Sequence, residues 1–372
     1  MKMTGIIFSE MYNDELNAFT HDRNMAAIPF GGRYRLIDFT LSNMVNSGIT
    51  NVGVLAKQHY HSLMDHLANA QEWDLNRKNG GLLLLPPFAT ESFSQMHRGK
   101  LDELRNALNY LEDATTPYVL LASAHVLCNM DYRPALQSHV DSGCDITVVA
   151  TKEDGTNPEP CAFVMLSDGA GRATACALNY PASAGSFSSM GTYIISRELL
   201  IQVIKEYTAQ GAYDLERDFI QRKFNQGRLS INIYECQDVV LRVRNVAEYF
   251  RSNLLLTDGK VRKSLFRADS PIYTRVNDEV PTYYGMDCSA SGCIIADGCI
   301  IDGTAENCVL SRGVRIGKGA VIKDCIIMQG SVVGEGAVLE NVIVDKWATI
   351  SAGTELKGLA SAPVIIRKGV TV

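Results

Sequence analysis

The chain has 372 residues, of which 46% are hydrophobic, so it can bury a full core and is expected to form two domains. Its 35 basic and 41 acidic residues leave a net charge of −6, and no run of lysine and arginine could follow a phosphate backbone, which argues against a nucleic-acid partner. No segment approaches the roughly 18 apolar residues of a membrane span, and the apolar N-terminal stretch is too short for a signal sequence, so we expect a cytoplasmic protein without membrane contact.

Up to about residue 250, apolar runs of strand length alternate with segments of helix length. This pattern is typical of an α/β domain whose mostly parallel sheet carries helices on both faces. The predicted strands are Gly5–Ser9, Asn51–Ala56, Tyr118–Ala122, Asp145–Thr151, Met190–Ser196 and Ile231–Glu235. The predicted helices are Ser62–Ala70, Leu101–Asp113 and Ala247–Leu256, and Asn69–Ser94 is expected to be a loop.

The first strand runs into a turn of unusual composition. A nucleotide-binding sheet places glycines and an arginine at this point, because the backbone must approach phosphate closely. Here the turn contains Glu10, Asp14 and Glu15 instead. The acidic side chains would repel an anion.

Three histidines lie close together in the next part of the chain, at His59, His61 and His66. Their spacing lacks the i, i+4 pair that binds a metal from one helix face. The pattern favours packing at the start of a helix over a ligand set.

The alternating pattern ends between Thr257 and Tyr284, which contains two prolines and several charges. We therefore predict domains at 1–256 and 285–372, with a linker at 257–284.

In the second domain the sequence repeats every 17 residues, from Ile316 to Val333 to Ile350, and an aliphatic residue recurs about every six residues. Six residues make one short strand and a turn, so the repeat predicts the parallel β-helix of hexapeptide-repeat proteins.

Half of the ten cysteines fall within this repeat, at Cys288, Cys293, Cys299, Cys308 and Cys325. They occupy apolar positions, they lack the paired C-x-x-C of zinc ribbons, and all seven histidines lie at or before His139. We interpret them as small buried hydrophobic residues rather than metal ligands or disulfides.

One segment carries a specific resemblance. Phe30–Gly48 reads FGGRYRLIDFTLSNMVNSG, which resembles the FGGKFRIIDFxLSNxxNSG signature of the ADP-glucose pyrophosphorylases, the glucose-1-phosphate adenylyltransferases of bacterial glycogen synthesis. Further similar motifs follow in order at His61–Leu63 with His66, Arg98-Gly99, Ser189–Gly191 and Asn245–Asn253. The resemblance covers nearly the whole chain. It implies a Rossmann-like nucleotidyltransferase domain with a mixed, mostly parallel sheet, followed by a left-handed parallel β-helix.

In that family, ATP and glucose 1-phosphate are joined with the help of magnesium to give ADP-glucose and pyrophosphate. Such a reaction needs backbone donors and cations around the triphosphate and carboxylates for the metal. An ungapped comparison places the GGxGxRL loop of the family on Glu10–Leu16, with only the leucine kept. The residues that replace other family elements are Glu15 for the loop arginine, Met25 for the RAKP lysine, Ala124 and Arg242 for the two metal aspartates, Tyr180 for the sugar-phosphate lysine, and Lys100-Leu101 for the TA of GTA.

Even one lost preorganised contact can cost on the order of a hundredfold in rate. We therefore expect no catalytic residues, no metal site and no cofactor in this chain, and we expect magnesium only in a catalytic partner. We also hypothesise that Arg242 and Arg244 pair with Asp14 or Glu15 across the altered site, in place of nucleotide and metal. His125 follows the strand at Ala124, but a histidine alone cannot replace the lost carboxylate.

The family also binds sugar-phosphate activators near the junction of its two domains, through basic residues of the FGG segment and the β-helix. Arg33, Arg35, Arg367 and Lys368 are the candidates here for an effector phosphate site, although the family's activator lysine and histidine fall on Asp22 and Pro29. The alternative is that these residues are solvated or structurally paired.

The resemblance thus predicts a regulatory, catalytically silent subunit that assembles with a catalytic ADP-glucose pyrophosphorylase subunit, as a hetero- or homotetramer. Two alternatives remain open. One is an active adenylyltransferase with atypical residues, and the other is a stand-alone sugar-phosphate sensor or scaffold.

Overall fold

The structure is a computed structural model that describes residues 2–12, 14–86, 99–156 and 160–372. Asn13 and Arg98, which belong to two of the compared motifs, lie outside these ranges, as does the end of the predicted loop at 87–94. Within them, every helix is too short or too polar to cross a lipid bilayer. An α/β domain comes first and a β-helix second.

Within the described residues, nine strands form the mixed main sheet of the first domain, in which the strand pairs around the central strand are parallel and most of those at the far side are antiparallel. The central strand is buried at every residue, as expected for a strand covered by helices on both faces. The bounds are β1 Met3–Phe8, β4 Asn51–Leu55, β5 Gly81–Leu85, β6 Tyr118–Ser123, β8 Ile146–Lys152, β9 Pro160–Ser167, β10 Ala173–Pro181, β11 Phe187–Ser196 and β12 Ile231–Glu235. The order is β10-β9-β11-β6-β1-β4-β5, and β8 pairs with β11 and β12. Two small pairs complete the domain, β2 Pro29–Phe30 with β3 Tyr34–Arg35 and β7 Val126–Leu127 with β13 Leu241–Arg242.

Helices cover both faces of this sheet. Several begin at a side chain that caps the free backbone N–H groups of the first turn, such as Ser196 for Leu199 and Asn245 for Glu248. The bounds are α1 Asn17–Thr20, α2 Leu36–Asn46, α3 His61–Leu67, α4 Lys100–Arg105, α5 Leu108–Asp113, α6 Arg133–Ser142, α7 Arg197–Ala209, α8 Arg222–Asn225, α9 Val246–Leu255 and α10 Gly259–Leu265. Short 3₁₀ turns at Met25–Ala27 and Gln71–Trp73 and a π-helix at Leu215–Gln221 add to them.

The predicted strands and helices are largely confirmed, with three corrections. The single helix predicted over Leu101–Asp113 is two helices, α4 and α5, which bury leucines on a shared face, so the apolar period does not reveal the break. The predicted loop Asn69–Ser94 contains β5, whose leucines pair with β4. The predicted linker contains α10, which is capped by Asp258 and anchored by the buried Leu265.

The second domain is a left-handed parallel β-helix built from three five-stranded parallel sheets. The chain visits the three sheets in turn, so each strand pairs with the strand one coil later. Asn307, Asp324 and Asn341 stand 17 residues apart at corners with φ of 51°, 48° and 52°, a conformation that asparagine and aspartate tolerate better than most residues. The strands are β14 Tyr283–Tyr284, β15 Ser289–Ser291, β16 Ile294–Ile295, β17 Ile300–Ile301, β18 Thr304–Glu306, β19 Val309–Leu310, β20 Arg315–Ile316, β21 Val321–Lys323, β22 Ile326–Ile327, β23 Val332–Val333, β24 Val338–Glu340, β25 Val342–Val344, β26 Thr349–Ile350, β27 Glu355–Lys357 and β28 Val364–Ile366.

The β-helix interior contains the stacked aliphatic residues that the 17-residue repeat predicts. Three of its cysteines also stack on successive coils. The Cys293 sulfur accepts a hydrogen bond from the backbone N–H of Cys308 at 3.4 Å, and the Cys308 sulfur accepts one from Cys325 at 3.4 Å. All are free thiols, as interpreted from the sequence. Of the five cysteines in the repeat, Cys299, Cys308 and Cys325 are buried, whereas Cys288 and Cys293 are only partly buried.

The two domains pack tightly against each other. Val309, Ile326 and Ile343 point outward from one sheet of the β-helix, yet they are buried in the core of the first domain. Arg23 and Asp345 form a buried ion pair across the junction, with two N–O distances of 2.9 Å. The junction is therefore a fixed surface on which a binding site can be built.

Candidate functional site

The first candidate site, which we name the sheet-edge pocket, is a cavity of about 390 Å³ at the carboxyl ends of parallel strands. Glu10, Lys57 and His125 follow β1, β4 and β6 and enter it from neighbouring strand ends, the usual position of a ligand in an open α/β sheet. Its lining also includes Met11, Tyr12, Lys100, Glu103, Ala162, Phe163, Leu178, Asn179, Tyr193, Glu216, Arg217, Arg242 and Arg244.

The carboxylate of Glu10 folds back onto the protein. One of its oxygens accepts hydrogen bonds from the backbone N–H groups of Lys57 and Gln58, at 2.9 and 2.7 Å, and from the Asn24 amide at 2.6 Å. Glu10 is buried. An internal carboxylate therefore occupies a cluster of donors that could otherwise bind an anion.

Ion pairs neutralise the cations on the pocket floor. The Lys57 ammonium lies 2.5 Å from the Glu103 carboxylate, and Lys100 pairs with Glu216, which also accepts a hydrogen bond from the Tyr193 hydroxyl at 2.8 Å. Burial raises the pKa of Glu103 to about 7, although the Lys57 ammonium opposes the shift. Glu103 therefore titrates near neutrality.

Arg242 and Arg244 do not pair with Asp14 or Glu15, so that hypothesis was wrong. Arg242 donates to the Thr151 hydroxyl at 2.6 Å and lies 4.0 Å from Glu153. Arg244, which lies just before α9, pairs with Glu248 in the first turn of that helix. Asp14 and Glu15 are exposed, because the turn directs them to solvent rather than across the pocket.

His125 is the buried base of the pocket. Its ring packs edge-on against Tyr12, with 4.9 Å between centroids. Burial, together with the cations Lys100, Arg242 and Arg244, lowers the pKa of His125 well below its usual range, so the imidazole is neutral. Among the described residues, its Nδ1 has no hydrogen-bond partner.

The other positions that were compared with the family's motifs lie in several different parts of the first domain. Met25 and Ala124 are buried in the core, and Glu15 is exposed outside the pocket. Tyr180 is 62% exposed, and its neighbour Asn179 lines the pocket instead. Arg242 lines the pocket, as does Lys100, which replaces a residue of the family's GTA motif.

The residues present do not fit a magnesium ion at the positions where the family holds one. Ala124 offers no ligand atom, and Arg242 carries a positive charge. Within the described ranges, no group of three His, Cys, Asp or Glu side chains is arranged to bind a metal. His59 and His61 are exposed, and His66 lies 2.6 Å from the buried Asp38 carboxylate, in keeping with a structural role.

A second cavity of about 320 Å³, the interdomain pocket, lies where the FGG segment meets the β-helix. Arg33, Arg35 and Lys346 make no ion pair within the described residues, although they line the same cavity. Arg275 and Arg312 also line it, paired with Asp65 and Asp297 at 3.2 Å. The interdomain pocket therefore has a surplus of positive charge.

Burial and neighbouring cations perturb these groups. Burial lowers the pKa of Arg35 to about 10, and burial with Arg35 and Arg23 nearby lowers the pKa of Lys346 to about 7. Arg35 still donates a hydrogen bond to the Ser62 carbonyl at 2.5 Å. A bound anion would relieve the repulsion between these cations and restore the charge of Lys346.

The interdomain pocket contains two of the four predicted effector residues. Arg33 and Arg35 line it, whereas Arg367 and Lys368 do not. Lys368 lies one coil beyond Lys346, because Val344 pairs with Ile366 and the following residues continue that register. Pro29 is in the lining, and Asp22 is exposed beside His21.

Sequence reasoning missed several pocket residues. Arg312, Gln329 and Lys346 stand 17 residues apart and line one corner of the interdomain pocket, so the repeat contained the signal needed to find them. Nothing in the sequence indicated the pairing of Lys57 with Glu103, which lie 46 residues apart on different elements.

Two family models match the chain. A model described as nucleotidyl transferase matches residues 13–238, and one described as GlmU-like, C-terminal hexapeptide matches residues 280–359. These matches correspond to the α/β domain and the β-helix.

Similar proteins extend over nearly the whole chain. The glycogen biosynthesis protein GlgD of Geobacillus stearothermophilus is 39% identical over 99% of this chain and 96% of its own length. The protein of that name from Bacillus subtilis (strain 168) is 34% identical, with the same coverage. The glucose-1-phosphate adenylyltransferase of G. stearothermophilus is 32% identical over 87% of this chain and 83% of its own length.

Proposed function

Because the chain belongs to the ADP-glucose pyrophosphorylase (glucose-1-phosphate adenylyltransferase) family of nucleotidyl transferases, we propose that it serves glycogen biosynthesis as a regulatory subunit without catalytic activity of its own. The two GlgD proteins are similar over almost their full length, which supports a role in that process. We place its action in the cytoplasm.

The observation that carries the proposal is the state of the sheet-edge pocket. Glu10 occupies the donors at its rim, and Ala124 and Arg242 stand where the family holds a metal. A triphosphate brings several negative charges to one place, and its transfer depends on preorganised donors and cations. The paired charges here cannot supply that field, so this chain would not form ADP-glucose alone.

The proposed partner is a catalytic subunit of the same family with an intact loop and both metal carboxylates. That subunit would bind magnesium and the substrates, and the assembly would be a tetramer, either mixed or of this chain alone. This chain would raise the activity of its partner and change the response to effectors.

The interdomain pocket is the proposed effector site. Arg33, Arg35 and Lys346 form no ion pair with any described residue, and they suit a phosphorylated sugar, because two phosphates can be bound by separate guanidinium and ammonium groups. Arg367 and Lys368 would contribute only at longer range, from the next coil. The pocket spans both domains, so a bound effector would act on their junction.

The decisive assay measures ADP-glucose and pyrophosphate formation by the purified chain, by a catalytic subunit from the same organism, and by the two together. We expect no turnover from this chain alone and a higher rate from the mixture. Turnover by this chain alone would instead favour an active enzyme with atypical residues. Failure to form a complex or to alter the kinetics of the partner would favour a stand-alone sensor.

The effector site is tested in the same mixture with Arg33→Glu. Arg33 is exposed, so reversing its charge should leave the fold intact while repelling a phosphate at the pocket. We expect the concentration of fructose 1,6-bisphosphate required for half-activation to rise by about tenfold or more. Arg251→Glu, an exposed arginine outside the pocket, is the matched control and should leave that concentration unchanged.

A further inference from the structure

We propose that the sheet-edge pocket binds an uncharged, polyhydroxylated ligand about the size of one sugar ring, such as free glucose or the terminal unit of a glucan. The ligand is proposed for this chain by itself, whether or not the chain joins a catalytic partner. Charge, unpartnered polar atoms and shape all support it.

The charges of the pocket are matched internally. Among the described residues of the lining, each lysine and arginine has a carboxylate beside it: Lys57 with Glu103, Lys100 with Glu216, Arg217 with Asp218, Arg242 with Glu153, and Arg244 with Glu248. Glu10 adds a carboxylate that is bound by neutral amides. A phosphate would therefore have to separate an ion pair, whereas a neutral ligand would not.

Two buried polar atoms of the lining lack partners within the described part of the chain. These are Nδ1 of His125 and Oε2 of Glu103, and both side chains are more than nine-tenths buried. Buried polar groups are normally hydrogen-bonded, so the two atoms indicate a missing partner. A hydroxyl group both donates and accepts, so it suits either tautomer of His125 and either protonation state of Glu103. A phosphate dianion cannot donate to a carboxylate.

Apolar side chains also line the pocket. Met11, Phe163 and Leu178 lie in the same lining as the polar groups. A sugar ring has this combined character, since its C–H faces are apolar and its hydroxyls surround the rim. The volume of about 390 Å³ lies in the range of roughly 300–1,000 Å³ typical of small-molecule sites.

The test is a ligand-observed NMR titration of the full chain with glucose and with maltotriose, and with glucose 1-phosphate and ATP as charged comparisons. We expect saturable binding of at least one neutral sugar, at least about tenfold weaker binding of glucose 1-phosphate, and no displacement of the sugar by ATP. A preference for maltotriose would identify a glucan end, and a preference for glucose would identify the free sugar. No saturable binding of either, or displacement by ATP, would overturn the proposal.

Two variants locate the binding. His125→Leu removes one unpartnered atom, and Ala162→Trp places a large ring at an exposed position of the pocket lining without burying it in the core. Each should weaken sugar binding at least about tenfold. Ala175→Trp, an exposed position on the neighbouring strand outside the pocket, should have no effect. Unchanged sugar binding in Ala162→Trp would contradict the assignment to the sheet-edge pocket. Unchanged sugar binding in Arg33→Glu would show that the sugar does not bind at the proposed effector site.

Discussion

The two pockets of this molecule use similar residues to opposite effect. In the sheet-edge pocket each lysine and arginine of the described lining has a carboxylate neighbour, and Glu10 occupies the backbone donors. In the interdomain pocket Arg33, Arg35 and Lys346 form no ion pair within the described residues, and burial together with Arg35 and Arg23 lowers the pKa of Lys346 to about 7. The net charge that a cavity presents to a ligand therefore depends on how its side chains are paired, and not on how many cations line it.

This difference is consistent with the proposed regulatory role. At the strand ends, ion pairs within the described lining stabilise the buried charges. At the junction, the two domains bring cations together that the described residues leave without ion pairs. The predictions below test this contrast, beginning with the largest effect.

The two pockets are connected by one buried ion pair. Arg23 precedes Asn24, which binds Glu10, and its partner Asp345 precedes Lys346 of the interdomain pocket. Asp345→Asn leaves Arg23 without a counter-charge in the core and should lower the free energy of unfolding by about 3–5 kcal/mol, as measured by chemical denaturation. The exposed Glu355→Gln is the control and should change it by less than about 0.5 kcal/mol. A loss of similar size in both variants would show that the junction does not depend on this pair.

Anion binding by the interdomain pocket should depend on pH. Lys346 has a pKa of about 7, so it is mostly protonated at pH 6 and mostly neutral at pH 8, and a bound anion favours the protonated form. The affinity for sulfate, which keeps its charge over this range, should therefore fall by up to about tenfold from pH 6 to pH 8. Isothermal titration calorimetry measures this change. In Lys346→Arg the dependence should disappear, because arginine stays charged. A slope that persists in Lys346→Arg would assign the titration to another group.

The smallest effect is expected from partial repair of the sheet-edge pocket. Ala124→Asp combined with Arg242→Asp restores both carboxylates at the family's metal positions. Glu10 would still occupy the Lys57 and Gln58 amides, so a triphosphate would find no loop to bind it. ADP-glucose formation by the double variant alone should stay at background. Measurable turnover would show that the metal carboxylates were the only missing elements.

Much of the fold follows from local patterns in the sequence. The 17-residue repeat predicts the β-helix because each coil reuses the same corner and core positions, as the shared conformation of Asn307, Asp324 and Asn341 confirms. Apolar runs also predict the central strands β1, β4 and β6. The break between α4 and α5 and the position of α10 escaped prediction, because both depend on packing that leaves the apolar period unchanged.

The candidate sites divide in the same way. The acidic turn and the substitutions at Met25, Ala124, Tyr180 and Arg242 are properties of the sequence, and they predict the loss of the family's phosphate and metal groups. Three contacts could not be predicted from the sequence. Glu10 accepts a hydrogen bond from the Lys57 amide, Lys57 pairs with Glu103, and Lys346 lies in one cavity with Arg33.

The sequence by itself thus determined the two architectures, because these follow from residue type and period, and its resemblance to the family showed which metal and phosphate residues are replaced. Only the tertiary structure decided which charges neutralise one another and which remain available to a ligand. The physical reason is that electrostatic pairing depends on distance and burial, and strand ends and coil corners far apart in the chain acquire both only when the domains fold and pack together.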